Sequence, residues 1–291
     1  FDLSSIQIKD DLSAVFSNAS SWIIHSMTDT GSTFTGDGSL VGSNTTGELS
    51  LLSGVDTLLI NESKVFFMTV RIKPGLTIET YNNQATITGT TPSSTTISDL
   101  STNGENIDTS GDNVGLDGDN DPTNTDSKTP LTYPRIALSK KITSIPIRNA
   151  DGTFSVNFEL QVKNTGTQDL TGVSVKDTLE GAFPLFGTYN SNALSLSEYK
   201  IETLPSVSGT GLLVANMGYS GESGLNELAS GSLLVGASNA ITFTIRVYPI
   251  SNLASPYLNS AQATTSITNV LDTSNDGNFF DDGAGDGHAN E

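Results

Sequence analysis

Two short acidic stretches carry the residues best suited to hold a hard cation. Asp99, Ser101 and Asn103 stand at alternate positions ahead of Gly104, and Asp272, Ser274 and Asp276 stand the same way ahead of Gly277. Calcium takes about six to eight oxygens, commonly from alternate positions of a turn sharp enough to need glycine. The next residue, Glu105 or Asn278, offers a backbone carbonyl. An EF-hand would finish on a bidentate Glu at its last loop position, but Ser110 and Gly283 stand there. The missing charge is therefore expected from Asp108 and Asp112 in the first stretch, and from Asp281, Asp282 and Asp286 in the second. Asp117, Asp119 and Asp121 make a further alternate set. Like charges packed this closely repel by on the order of a kcal/mol per pair in a partly wet loop. The spacing thus predicts structural Ca2+ at these residues.

The charge distribution points the same way. Of a net charge of −19, residues 99–126 hold eight carboxylates and residues 272–291 hold six, with no Lys or Arg in either stretch. No basic patch exists to neutralise phosphates, so nucleic acid is excluded as a partner class. No apolar run is long enough to cross a bilayer as a helix, so membrane insertion of that kind is not expected. Cys is absent, which rules out disulfides, thiolate nucleophiles and thiolate metal ligands.

Catalytic groupings are missing. His25 falls in an apparent strand and reads as a packed or surface residue, while His288 lies in the terminal acidic run without a companion histidine. No nucleophile elbow, Walker loop or zinc-ligand spacing occurs. Nothing marks two carboxylates as an acid/base pair, and Trp22 reads as a core residue sooner than a sugar platform. Lys9 and Lys176 hold equivalent strand positions. A lysine there has the chemistry for an amide cross-link to asparagine, but the alternation reads more simply as outward-facing. The chain is not expected to be an enzyme.

These stretches are positioned by a repeat. Phe1-Asp-Leu-Ser-Ser-Ile-Gln-Ile-Lys-Asp-Asp-Leu12 aligns with Gln168-Asp-Leu-Thr-Gly-Val-Ser-Val-Lys-Asp-Thr-Leu179, and Phe67–Pro74 aligns with Thr242–Pro249. Tyr81, Asn83 and Ala85 align with Tyr257, Asn259 and Ala261, and the acidic turn comes next in both copies. The spacing drifts only slightly between matched segments, as loop insertions in related modules produce. Within each copy the strand signal is clear. Phe154, Val156, Phe158, Leu160 and Val162 alternate with polar residues, as do Ile241, Phe243, Ile245 and Val247, and Phe66, Met68, Val70 and Ile72. Asn164-Thr-Gly166 reads as a tight turn. Only Gly224–Ser230 suggests a turn or two of helix.

Ala137-Leu-Ser-Lys-Lys, with Phe158–Gly166 and Leu170–Leu179 after it, resembles the conserved repeat domain of large bacterial surface proteins. The Asp-x-Ser-x-Asn/Asp-Gly ending is similar to the segment that trails such repeats in gliding-motility-like adhesins of Bacteroidota. The resemblance implies tandem Ig-like modules at the bacterial cell surface or outside the cell. The partners it implies are neighbouring modules of the same protein, and a glycan or a host or substratum surface.

The expected fold is all-β: two tandem Ig-like antiparallel β-sandwich modules, the first lacking its N-terminal strands. The first module covers residues 1–121, a Pro-bracketed linker covers 122–134, and the second covers 135–291. Residues 135–167 have no counterpart ahead of Phe1. The chain therefore reads as a window on a longer array, or as a module whose missing strands another chain supplies. Its start at Phe1 reads as processing or trimming. The expected function is a calcium-stiffened stalk or spacer of a surface adhesin or fibre. The alternatives are a ligand-binding adhesion module, or a filament subunit assembling by strand donation.

Overall fold

The computed structural model describes residues 1–28, 34–53, 56–75, 79–101, 128–180, 194–195, 198–248 and 259–276. The fold is an all-β sandwich type, its strand pairs antiparallel except for one, with almost no helix among the described residues. Two compact units divide the chain, Phe1–Leu131 and Thr132–Glu291.

Unit 1 contains β1 (Leu3–Asp10), β2 (Ser21–Thr28), β3 (Leu49–Ser50), β4 (Asp56–Leu58), β5 (Phe67–Lys73), β6 (Tyr81–Asn83), β7 (Thr86–Thr90), β8 (Thr96–Leu100) and β9 (Thr129–Leu131). One sheet runs β3-β1-β7-β8, with β4 also on β1. β2 pairs with β5, and β6 with β9. The pairing of β9 brings Thr129–Leu131, from the segment read as linker, into unit 1. A short helix, α1 (Leu12–Val15), comes after β1; Asp11 caps it by accepting the Ala14 N–H.

Unit 2 contains β10 (Ile136–Ile142), β11 (Ile147–Arg148), β12 (Phe154–Asn164), β13 (Leu170–Asp177), β14 (Tyr199–Gly209), β15 (Leu212–Ala215), β16 (Glu227–Leu233), β17 (Ser238–Val247), β18 (Ala261–Thr264), β19 (Leu271–Thr273) and β20 (Asn275–Asp276). One sheet runs β14-β17-β12-β10-β20, with β11 on β12, and the other runs β15-β16-β13-β18-β19. The alternation read from the sequence becomes the core. Val156, Phe158, Leu160 and Val162 of β12 and Ile241, Phe243, Ile245 and Val247 of β17 face Val173, Val175, Leu228 and Leu233 of the opposite sheet. Each such burial contributes about 1.5–3 kcal/mol. The suggestion of helix at Gly224–Ser230 is corrected. Glu227–Leu233 is β16, because Leu228 and Ala229 fill the core only when that segment pairs with β13.

The Asn164 turn carries the chain from one sheet to the other. Its buried side chain donates to the carbonyls of Gln168 and Leu233 and accepts the Gly166 N–H. Only glycine fits at 166, where a Cβ would lie 2.5 Å from both the Arg135 nitrogen and the Tyr133 oxygen.

The two units repeat one plan but differ in one respect. β17 lies between β14 and β12, whereas its sequence counterpart β5 has only β2 beside it among the described strands. Phe66, Met68, Val70 and Ile72 are accordingly half-buried, while their counterparts Ile241, Phe243, Ile245 and Val247 are buried. No described strand of unit 1 corresponds to β10 or β12.

Replacing Asn164 by Ala strands one buried donor and two carbonyls, so it should cost roughly 2–4 kcal/mol. The readout is denaturant unfolding of unit 2 by circular dichroism. Trp22 fluorescence, which reports unit 1, should stay in place; a loss below about 1 kcal/mol would contradict the assigned role.

Candidate functional site

The acidic turns sit at sheet margins. Asp99 lies in β8 opposite Ile87, and its carboxylate accepts the Leu100 N–H at 3.0 Å. Asp272 lies in β19, is buried, and accepts the backbone N–H of Leu138 in β10 at 2.6 Å. Ser101 and Ser274 do the same work in the two units. Ser101 accepts the Ala85 N–H at 2.9 Å and returns its own N–H to the Ala85 carbonyl at 2.8 Å. Ser274 makes the same two bonds to Ala261, both at 2.8 Å. Just beyond, β20 runs parallel to β10, pairing Asn275 with Ser139 and Asp276 with Lys140. In unit 2 the acidic turn therefore closes along the outer edge of β10.

Asn103, Glu105, Asp108, Asp112, Asp117, Asp119 and Asp121 lie outside the described residues, as do Asn278, Asp281, Asp282 and Asp286. Among the described residues, no three Asp, Glu or His side chains converge as an ion would require. One side-chain oxygen each of Asp99, Ser101, Asp272 and Ser274 accepts a backbone N–H.

A second site emerges at the end of β13. Asp177 is buried, and its Oδ2 meets the Lys140 ammonium at 2.6 Å, with the Lys140 and Asp177 side chains 5% and 0% exposed. Its Oδ1 accepts Nδ2 of Asn259 at 2.9 Å. The Asp177 backbone is fixed as well: its N–H donates to the Asn226 carbonyl, and its carbonyl accepts the Tyr219 hydroxyl at 3.2 Å. The Lys140 Nζ lies 4.7 Å from the centre of the Phe158 ring. Burial pushes the Lys140 ammonium below its ordinary range, outweighing the opposing pull of Asp177. Burial first, then the charge of Asp177, raises the Tyr219 phenol.

Unit 1 repeats part of this site. Asp10, the counterpart of Asp177, is buried and accepts Nδ2 of Asn83, the counterpart of Asn259, at 2.9 Å. Lys140 has no counterpart there, and Oδ1 of Asp10 is buried without a partner among the described residues. Burial raises the Asp10 carboxyl to about 6 against the hydrogen bond from Asn83, with the Asp11 charge adding to the rise. In the sequence Asp10, Asp177, Asn83 and Asn259 stand out only as alignment marks, and their meeting is not foreseen. The available signal was the same Asp and Asn at matched positions of the two copies.

Trp22 is buried against Phe16, their ring centres 5.8 Å apart, so it packs a core. His25 is exposed beside Arg71 at 3.0 Å, and His288 lies outside the described residues. Lys176 points outward, as its spacing indicated. No known protein family and no curated protein matches the chain in sequence comparison.

The Asp10 carboxyl holds its proton more tightly folded than unfolded. Its contribution to stability is complete below about pH 3.8 and is lost as pH rises through about 6. The loss is up to about 3 kcal/mol, at 1.36 kcal/mol per pKa unit. Asp10→Asn should therefore stabilise unit 1 at pH 7, with the gain over wild type shrinking towards pH 4. Urea unfolding monitored by Trp22 fluorescence across that range is the measurement.

Proposed function

We propose that the chain is a non-enzymatic structural segment, a stalk or spacer of a bacterial surface adhesin or extracellular fibre, built from tandem Ig-like modules and stiffened by calcium. One observation carries this reading. The two units reproduce the same buried Asp–Asn pair and the same Ala–Ser backbone clasp, so one module is used twice in series. A serially repeated sandwich suits spacing and load-bearing better than forming a single reaction centre. The resemblance of Ala137–Leu179 to repeats of bacterial surface proteins supports the extracellular placement.

Calcium is assigned to two acidic runs, residues 99–126, which begin in β8, and residues 272–291, which begin in β19. These runs concentrate carboxylates with no Lys or Arg among residues 99–126 or 272–291. Open extracellular sites of this kind bind at about 0.1–1 mM. Melting in millimolar calcium should therefore exceed melting in excess chelator by several degrees, because ion binding to the folded state stabilises it. Identical melting curves under the two conditions would remove calcium from the reading.

A filament subunit that accepts a strand is favoured by a separate observation. Three features occur together in unit 1: a side of β5 with no described strand beside it, the half-buried row Phe66, Met68, Val70 and Ile72, and an Asp10 oxygen with no partner among the described residues. The occupant that fits is an extended hairpin from another chain, apolar at alternate positions and bearing a lysine for Asp10, as β10 and β12 do in unit 2. A synthetic peptide of residues 135–164 added to the full chain should raise the Trp22-detected melting temperature. No shift at saturating peptide would rule strand acceptance out.

A further inference from the structure

We propose that unit 2 locks itself covalently, through an amide bond between the Lys140 side chain and the Asn259 side chain, with Asp177 carrying the proton. This proposal is independent of the stalk reading and rests on the geometry at Asp177.

Two side chains from distant parts of the sequence meet at the Asp177 carboxylate. Lys140 Nζ is 2.6 Å from Oδ2 and Asn259 Nδ2 is 2.9 Å from Oδ1. The amine and the carboxamide are thus held on either side of the group best placed to move a proton between them. Such fixed proximity replaces a bimolecular encounter with an intramolecular one. The surroundings also suit the chemistry. The Phe158 ring covers the Lys140 nitrogen, and burial favours its neutral, nucleophilic form.

The Asn259 carbonyl oxygen gives the second argument. It is buried, with no hydrogen-bond partner among the described residues. An asparagine retained only to satisfy Asp177 would normally have both ends bonded. Here one end faces the carboxylate and the other has no bond among the described residues. Unit 1 gives the third argument. There Asp10 and Asn83 keep the same bond although no lysine meets them. The acid–amide pair is therefore not an accessory of a salt bridge. It is a complete half-site lacking its nucleophile.

The step balances without an oxidant or reductant. Asp177 Oδ2 takes a proton from the Lys140 ammonium, leaving a neutral amine. Nζ attacks Cγ of Asn259, the Nζ–Cγ bond forms, and the Cγ–Nδ2 bond breaks. Asp177 Oδ1 delivers that proton to Nδ2, which leaves as ammonia; the carboxylate then takes the second proton from Nζ and passes it to the departing ammonia. Lysine ammonium plus carboxamide becomes a secondary amide plus ammonium, and the Asp177 carboxylate is regenerated. The new bond would tie β10, in one sheet, to the residue two places ahead of β18 in the other.

Intact-mass spectrometry of the purified full chain is the test. Wild type should be lighter than its sequence mass by one ammonia, and proteolysis should yield a fragment in which Lys140 and Asn259 are joined. Lys140→Ala, Asn259→Ala and Asp177→Asn should each show the full sequence mass. Their folding is checked by circular dichroism. Wild type at its full sequence mass would overturn the proposal, and so would an ammonia loss mapped to any other residue. If the variants fail to fold, the wild-type mass and the joined fragment still decide it.

Discussion

The placement of a carboxylate inside each unit governs how the rest of the fold is arranged. Removing an ion from water costs several kcal/mol, and a buried pair repays this only with close geometry and additional hydrogen bonds. Asp177 meets that condition with Lys140, Asn259 and a backbone held at both its N–H and its carbonyl. β10, β13 and the segment ahead of β18 must therefore come together in one register. β10 is buried from Ile136 to Lys140, and the same requirement explains that burial, because Lys140 reaches Asp177 only when β10 is enclosed.

Unit 1 shows what happens when this constraint is met in part. Its carboxylate and amide are present, its apolar row is patterned for a core, and its β2–β5 pair has no further described strand beside β5. Sequence equivalence is preserved where side chains meet inside the unit and lost where a strand is needed to cover them. The raised Asp10 carboxyl and the half-buried row beside β5 share one cause among the described residues, a layer that unit 2 has and they lack; the first sign is electrostatic and the second hydrophobic.

Much of the fold is legible in the sequence, because period-two alternation survives wherever one face of a strand is buried. β12 and β17 are clear examples. β10 is not, since it is covered on both faces and adjacent Lys140 and Lys141 give no clue to which one turns inward. β16 was obscured by Gly224, Leu225 and Leu228, whose spacing also suits a helical turn. The acidic turn is ambiguous for a geometric reason. Positions one, three and five of a cation loop have the same spacing as one face of a strand. Asp272 and Ser274 obey the second rule, turning inward to bond Leu138 and Ala261. The Asp177 site was illegible because its members are far apart in sequence, and only the sandwich topology gathers them.

The parallel pairing of β20 with β10 has a mechanical consequence. Every other strand pair described in unit 2 is antiparallel, but the strand that opens this unit and the last described strand lie side by side and point the same way. Tension applied ahead of β10 and beyond β20 would drag these neighbours past each other along their length. Their ladder bonds, together with the Asp272 clasp on Leu138, would then be loaded in shear and would have to fail together. An antiparallel pair pulled from its open end would instead unzip one bond at a time.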